Sequence, residues 1–268
     1  MLPAIVEVTM NRLCKALDAR TSSIESVYLY GSVALNDYIE GTSDIDFLAI
    51  IRKPLTQSEI QSIMAAHEEV EREFPNTDIM GAYILLKDVG KKPNEMNTFV
   101  TYFNKQLHTN GSGADLNPIT WWILKKHGVR IYGSAVVFHY EIDIASLLGY
   151  VSGNLNSYWV NWIDRLEKQL SLNNVLEDET YIEQLDQAIE WCTLGMLRQW
   201  YTLKERDIIS KIGAGNYGIQ QLPEKWHGLI REAIAIKRLE PSRYYVSQKE
   251  RLADLVDLLQ YIHLDANR

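Results

Sequence analysis

Cysteine is nearly absent: Cys14 and Cys192 are the only two among 268 residues. They stand far apart, each inside a helix-like apolar pattern. That excludes a disulfide-stapled scaffold and fits buried thiols in a cytoplasmic protein. Long apolar runs are missing too, none reaching the ~20 residues that a bilayer span needs, so no membrane partner is expected. The first twenty residues carry Glu7, Asn11, Arg12, Lys15 and Asp18, which break any signal-peptide core. The apolar spacing there (Ile5, Leu13, Leu17) suits a helix instead. Positive charge is scarce, with a formal net charge of −8. The only basic clusters are Lys91-Lys92, Lys125-Lys126 with Arg130, and Lys237-Arg238. No basic stripe of the kind that grips a long phosphate backbone is present, so nucleic acid is not an expected partner. The six histidines, at 67, 108, 127, 139, 227 and 263, show no metal-ligand spacing, which speaks against zinc. Internal repeats and low-complexity segments are absent.

What is present is 46% hydrophobic residues, enough for a proper core in one large or two small domains. The patterning predicts a helix over 1–20, strands over 24–30 and 45–52, a helix over 56–73 and a strand from Ile79 to Leu86. A polar, Gly-rich excursion over 104–118 follows, then a helix from Pro118 to His127 and a short strand from Val129 to Tyr132. Beyond Ile144 the pattern is helical, over about 143–171, 179–204, 223–238 and 246–264. A small α/β domain is therefore expected first and a helical bundle second, with the boundary near 136–142.

Within the first half, Tyr28-Leu29-Tyr30 runs into Gly31-Ser32, and eleven residues later comes Asp44-Ile45-Asp46-Phe47. Alternate residues of a strand point the same way, so Asp44 and Asp46 share a face. Two carboxylates aimed at one spot repel unless a cation lies between them. A hard ion such as Mg²⁺ takes that oxygen pair and completes its shell with phosphate oxygens. Gly31 permits close approach of backbone amides, and the Ser32 hydroxyl adds a donor for a phosphate.

This pattern, with Ser43 preceding the acids, resembles the nucleotidyltransferase superfamily. The second half narrows the resemblance: Arg198-Gln199-Trp200-Tyr201-Thr202-Leu203, a short loop and then Ser210-Lys211 are similar to the C-terminal domain of the aminoglycoside nucleotidyltransferases that modify streptomycin and spectinomycin at the 3″ and 9 positions. The resemblance covers the whole chain, tightly at 27–51 and 188–226. It implies an α+β fold: a polymerase-β-like mixed sheet with helices over 1–140 and a helical bundle over 141–268. It also implies an adenylyltransferase that uses Mg²⁺ and ATP and has a small acceptor as its partner, an aminoglycoside or aminocyclitol. By position, Gly31, Ser32, Ser43, Arg198 and Lys211 are then the ATP contacts, and Asp44 and Asp46 are the catalytic metal ligands. Tyr102 and Trp159 fall near the family's substrate-contacting aromatics, while Asp186 and Glu190 offer carboxylates for cationic amines; packing and a solvated acidic face are the competing readings. Trp121, Trp162 and Trp191 read as packing.

One departure stands out. The family's general base is a glutamate on the next strand, and the best alignment sets Gly81 in its place. Asp78, Asp88 and Glu95 are nearby, but Asp78 shares neither parity nor position with Gly81. The alternative reading is a nucleotide-binding, catalytically weak or inactive member with a regulatory role. Transfer to a nucleic acid or a protein is a third, disfavoured by the acidic charge.

Overall fold

The computed structural model describes residues 1–96, 99–113, 115–141, 143–172 and 178–268. Two points of the sequence reading therefore fall outside it: Ala114 in the expected Gly-rich excursion, and Ile142 at the edge of the expected boundary. Contacts divide the chain into two compact units, Met1–Ile142 and Asp143–Arg268.

The first unit opens with α1 (Ala4–Asp18), β1 (Ile24–Leu29), the one-turn α2 (Gly31–Ala34), β2 (Ile45–Ile51) and α3 (Gln57–Glu73). Then come β3 (Ile79–Leu85), β4 (Val100–Phe103), β5 (Gln106–His108), α4 (Pro118–His127) and β6 (Val129–Gly133). The strands form one sheet in the order β5-β4-β3-β2-β1-β6. Only the β2–β3 pair is parallel; its neighbours run antiparallel, so the sheet is mixed. Ile45, Phe47, Ala49 and Ile51 of β2 enter a core with Val6, Met10 and Leu13 of α1 and Ile63, Ala66 and Val70 of α3. Leu48 and Ile50 on the opposite face are buried as well, which is why β2 reads as an unbroken apolar run after its acids. Helix α3 begins in a capping box: Thr56 Oγ1 accepts from the Glu59 amide, and the Glu59 carboxylate accepts from the Thr56 amide.

The strands β4 and β5 differ from the sequence expectation. They form a hairpin across the turn Asn104-Lys105, both residues having positive φ (50° and 59°). That is type I′ geometry, which usually announces itself through Asn-Gly; here lysine occupies the second position and hides the signal.

The second unit is helical: α5 (Ile144–Asn154), α6 (Val160–Ser171), α7 (Glu179–Ile189), α8 (Gly195–Glu205), α9 (Lys211–Gln221), α10 (His227–Lys237) and α11 (Gln248–Ala266). Two π-helical turns interrupt it, Leu155–Trp159 between α5 and α6 and Glu190–Leu194 between α7 and α8. Among the described residues no helix is long and apolar enough to cross a membrane.

Candidate functional site

The chain leaves β1, and the Tyr30 amide donates to the Asp46 carbonyl at 3.1 Å, which locks the start of α2 to the start of β2. Gly31 follows with φ +59°, and a Cβ built there would lie 1.8 Å from Asp46 Oδ2. Only glycine allows the carboxylate this close to the backbone. The Ser32 hydroxyl is buried and has no hydrogen-bond partner. Ser43 braces the approach to the strand: its amide donates to the Ile39 carbonyl (2.9 Å) and its Oγ accepts from the Ile39 amide (3.1 Å). Asp46 thus lies against the bend formed by Gly31 and Ser32, and Ser43 and Asp44 sit on the segment leading into β2, with Asp44 exposed and Asp46 half-buried.

The donor set suits a hard cation: the Asp46 carboxylate on β2, the Asp44 carboxylate just ahead of that strand, and a hydroxyl still lacking a partner. Among the described residues no group of three His, Cys, Asp or Glu side chains is placed to hold a metal ion. An ion held by Asp44 and Asp46 would take its remaining oxygens from a ligand.

Tyr30 is the buried neighbour of this bend. Burial pushes its phenol well above the usual range, and the charges of Asp46, Asp115 and Asp44 push it further. Tyr38 is raised in the same direction by burial, Glu40, Asp44 and Asp78.

Three sequence expectations are corrected here. Tyr102 is not a surface for a substrate: it is 2% exposed, pairs with Gly81 and stacks on His67 at 3.6 Å, beneath the sheet. Gly81 pairs with Phe47, so it lies on the face opposite Asp46, and the residue level with Asp46 is Met80. A one-residue offset in aligning a strand reverses the face, which explains the error. In the helical unit Asp186 is held by Arg243 (2.5 Å) and by the buried Arg251, whose guanidinium also pairs with Glu232, so its carboxylate serves structure.

The other helical candidates gather around the second π turn. Lys211, at the start of α9 behind the Ser210 cap, donates to Glu190 Oε1 at 2.9 Å and lies 4.7 Å over the Trp191 ring. Trp159 is 4% exposed, its indole N–H lacks a partner, and its ring lies 6.4 Å from that of Trp191. Arg198 sits half-buried on α8. Trp191, read from sequence as packing, is 43% exposed and donates to Tyr158 Oη at 3.0 Å. Its adjacency to Glu190 was the available signal, but a π turn shifts the helical phase by a residue and hides it.

Residues 10–96 match the family model for the nucleotidyltransferase domain, and residues 168–261 match the aminoglycoside adenylyltransferase C-terminal domain. The chain belongs to the aminoglycoside nucleotidyltransferase family. As an enzyme of this class it is a nucleotidyltransferase, and its two units carry that family's two domains in order. This nucleotidyltransferase also resembles the crystal structure of spectinomycin adenyltransferase AAD(9) from Enterococcus faecialis, solved with ATP and spectinomycin. The likeness has a TM-score of 0.61 at 16% identity, covering 97% of this chain and 99% of the other, and speaks to the fold. A search of curated proteins finds no significant match.

Proposed function

We propose that this nucleotidyltransferase moves AMP from Mg-ATP to a hydroxyl of a small acceptor, an aminoglycoside or aminocyclitol. The observation that carries the reading is the bend where the Asp46 carboxylate rests on Gly31 beside the unpartnered Ser32 hydroxyl. Asp44 and Asp46 are assigned to hold Mg²⁺, which when bound neutralises and aligns phosphate oxygens. Ser32 donates to the triphosphate, and Ser43 keeps the approach to Asp44 in shape. Arg198 and Lys211 are assigned to the triphosphate charge. Trp159 and Glu190 remain the assigned acceptor contacts in the helical unit, joined by Trp191. In the reaction the acceptor oxygen forms a bond to the α-phosphorus, the bond from that phosphorus to the bridging oxygen breaks, and pyrophosphate leaves. The hydroxyl proton must pass to a base. Support for the acceptor class comes from the family models and from the spectinomycin bound in the fold relative.

The test is mass spectrometry of spectinomycin and streptomycin after incubation with the protein and Mg-ATP. An adenylylated product is expected; unmodified acceptors with ATP intact contradict the proposal.

A second reading, ATP binding without effective transfer, is favoured by the methionine level with Asp46 where a carboxylate is wanted. Calorimetric binding of Mg-ATP with no pyrophosphate from any acceptor would select it.

A further inference from the structure

In the helical unit the second π turn and the start of α9 hold one ammonium between them. Glu190 opens that turn, and Lys211 opens α9, which packs against it. Lys211 Nζ donates to Glu190 Oε1 at 2.9 Å and lies 4.7 Å over the Trp191 ring. The Lys211 and Glu190 side chains are only 19% and 16% exposed, so the pair is largely withdrawn from water and weakly screened. The Trp191 ring is fixed in turn, its indole N–H donating to Tyr158 Oη at 3.0 Å, yet it stays 43% exposed. A carboxylate and an aromatic face on one ammonium make a seat for a cation. Here the chain's own lysine occupies it. Two ammonium groups in such a seat repel, so it takes one at a time.

Lys211 has a second claim on it. It is the first residue of α9, whose Ser210 cap accepts from the Gly213 amide at 3.1 Å, so it stands at the positive end of the helix. The triphosphate assigned to it carries several negative charges against the one on Glu190. A lysine ammonium on its flexible stem can turn to the stronger anion without movement of the helix. Glu190 and the open face of Trp191 are then left without a cation, and a carboxylate this far withdrawn from water is costly to leave unpaired.

We propose that Lys211 exchanges between Glu190 and the triphosphate, and that a protonated amine of the acceptor takes the seat it vacates. This rests on the adenylyl-transfer reading and deepens it, because the acceptor is selected for a cationic amine and its binding is coupled to that of ATP through one lysine. Glu190 acts on ATP as a positioning residue, through Lys211, and on the acceptor directly.

The test is calorimetry with Mg²⁺ and α,β-methylene-ATP, which cannot transfer AMP, and with spectinomycin and streptomycin in the presence and absence of that analogue. Melting temperatures are measured alongside. In the wild type the analogue should tighten acceptor binding by at least ~5-fold. Glu190→Gln should bind the analogue more tightly, bind the acceptors more weakly and lose the coupling. Lys211→Met should lose analogue affinity and, without analogue, bind the acceptors more tightly than the wild type does. A pair that only staples α9 to the turn gives another result: Glu190→Gln then lowers the melting temperature without tightening the analogue. Unchanged or looser analogue binding in Glu190→Gln overturns the exchange alone, as does an absence of coupling in the wild type or of any acceptor gain in Lys211→Met. Unchanged analogue affinity in Lys211→Met removes Lys211 from the triphosphate. Failure of the wild type to bind either acceptor with the analogue present overturns the adenylyl-transfer reading for these acceptors. The exchange falls in both of those cases.

Discussion

A methyl group at position 31 has nowhere to go: it would meet Asp46 Oδ2 at 1.8 Å on a backbone already at φ +59°. Gly31→Ala is expected to cost about 1–2 kcal/mol in the left-handed conformation and to displace the carboxylate, so that ATP binding disappears from the calorimeter. Retained affinity would show that the bend is incidental. His67 supplies a pH prediction. Burial pushes its pKa down to about 3, where it is stacked on Tyr102 and bonded to Tyr83 Oη at 2.7 Å. The unfolded chain protonates His67 near its usual value of about 6.5 while the folded chain stays neutral, so its contribution is complete above 6.5. It is lost as pH falls from there towards 3, at about 1.4 kcal/mol per unit. Melting curves between pH 6.5 and 4 should fall more steeply for wild type than for His67→Gln; parallel curves would contradict the neutral, buried imidazole. The place of Asp46 at the head of β2 was legible because strand alternation is local. Tyr102 was not, since four residues of alternating strand do not say which face is buried.

Elements were legible where their period was long. Helices α1, α3, α4 and α11 follow their apolar spacing, and β1 and β2 follow their apolar runs. Three features escaped for separate reasons. The β4–β5 hairpin turns on Asn104-Lys105 without a glycine. Helix α9 carries Gly213, Gly215 and Gly218, which weaken a propensity signal that tertiary packing overrides. The π turns break helical phase in the stretch that holds Glu190 and Trp191. Asp186 shows the same limit: its arginine partners lie on other segments, and no local spacing reveals them. Arg251, with Asp186 on α7 and Glu232 on α10, ties three helices together from inside. Arg251→Met should cost about 3–5 kcal/mol because it strands the buried Glu232 charge. Thermal or urea unfolding reads this directly, and an unchanged midpoint would remove the network from the account.

For the whole molecule, charge and architecture agree on a small-molecule partner. The net charge of −8 leaves no stripe for a polynucleotide, and labelled ATP is expected to leave tRNA unlabelled on a gel; a labelled band would reverse that expectation. The two-unit plan was legible from the change in periodicity alone, whereas the face of β3 required the sheet register. The central claim is that Asp44 and Asp46, set against the Gly31-Ser32 bend, bind Mg-ATP for adenylyl transfer. The most direct measurement is pyrophosphate release from Mg-ATP with spectinomycin as acceptor, for wild type and Asp46→Ala side by side. Release from the wild type that vanishes in Asp46→Ala is the expected result. Equal release from both would contradict the account.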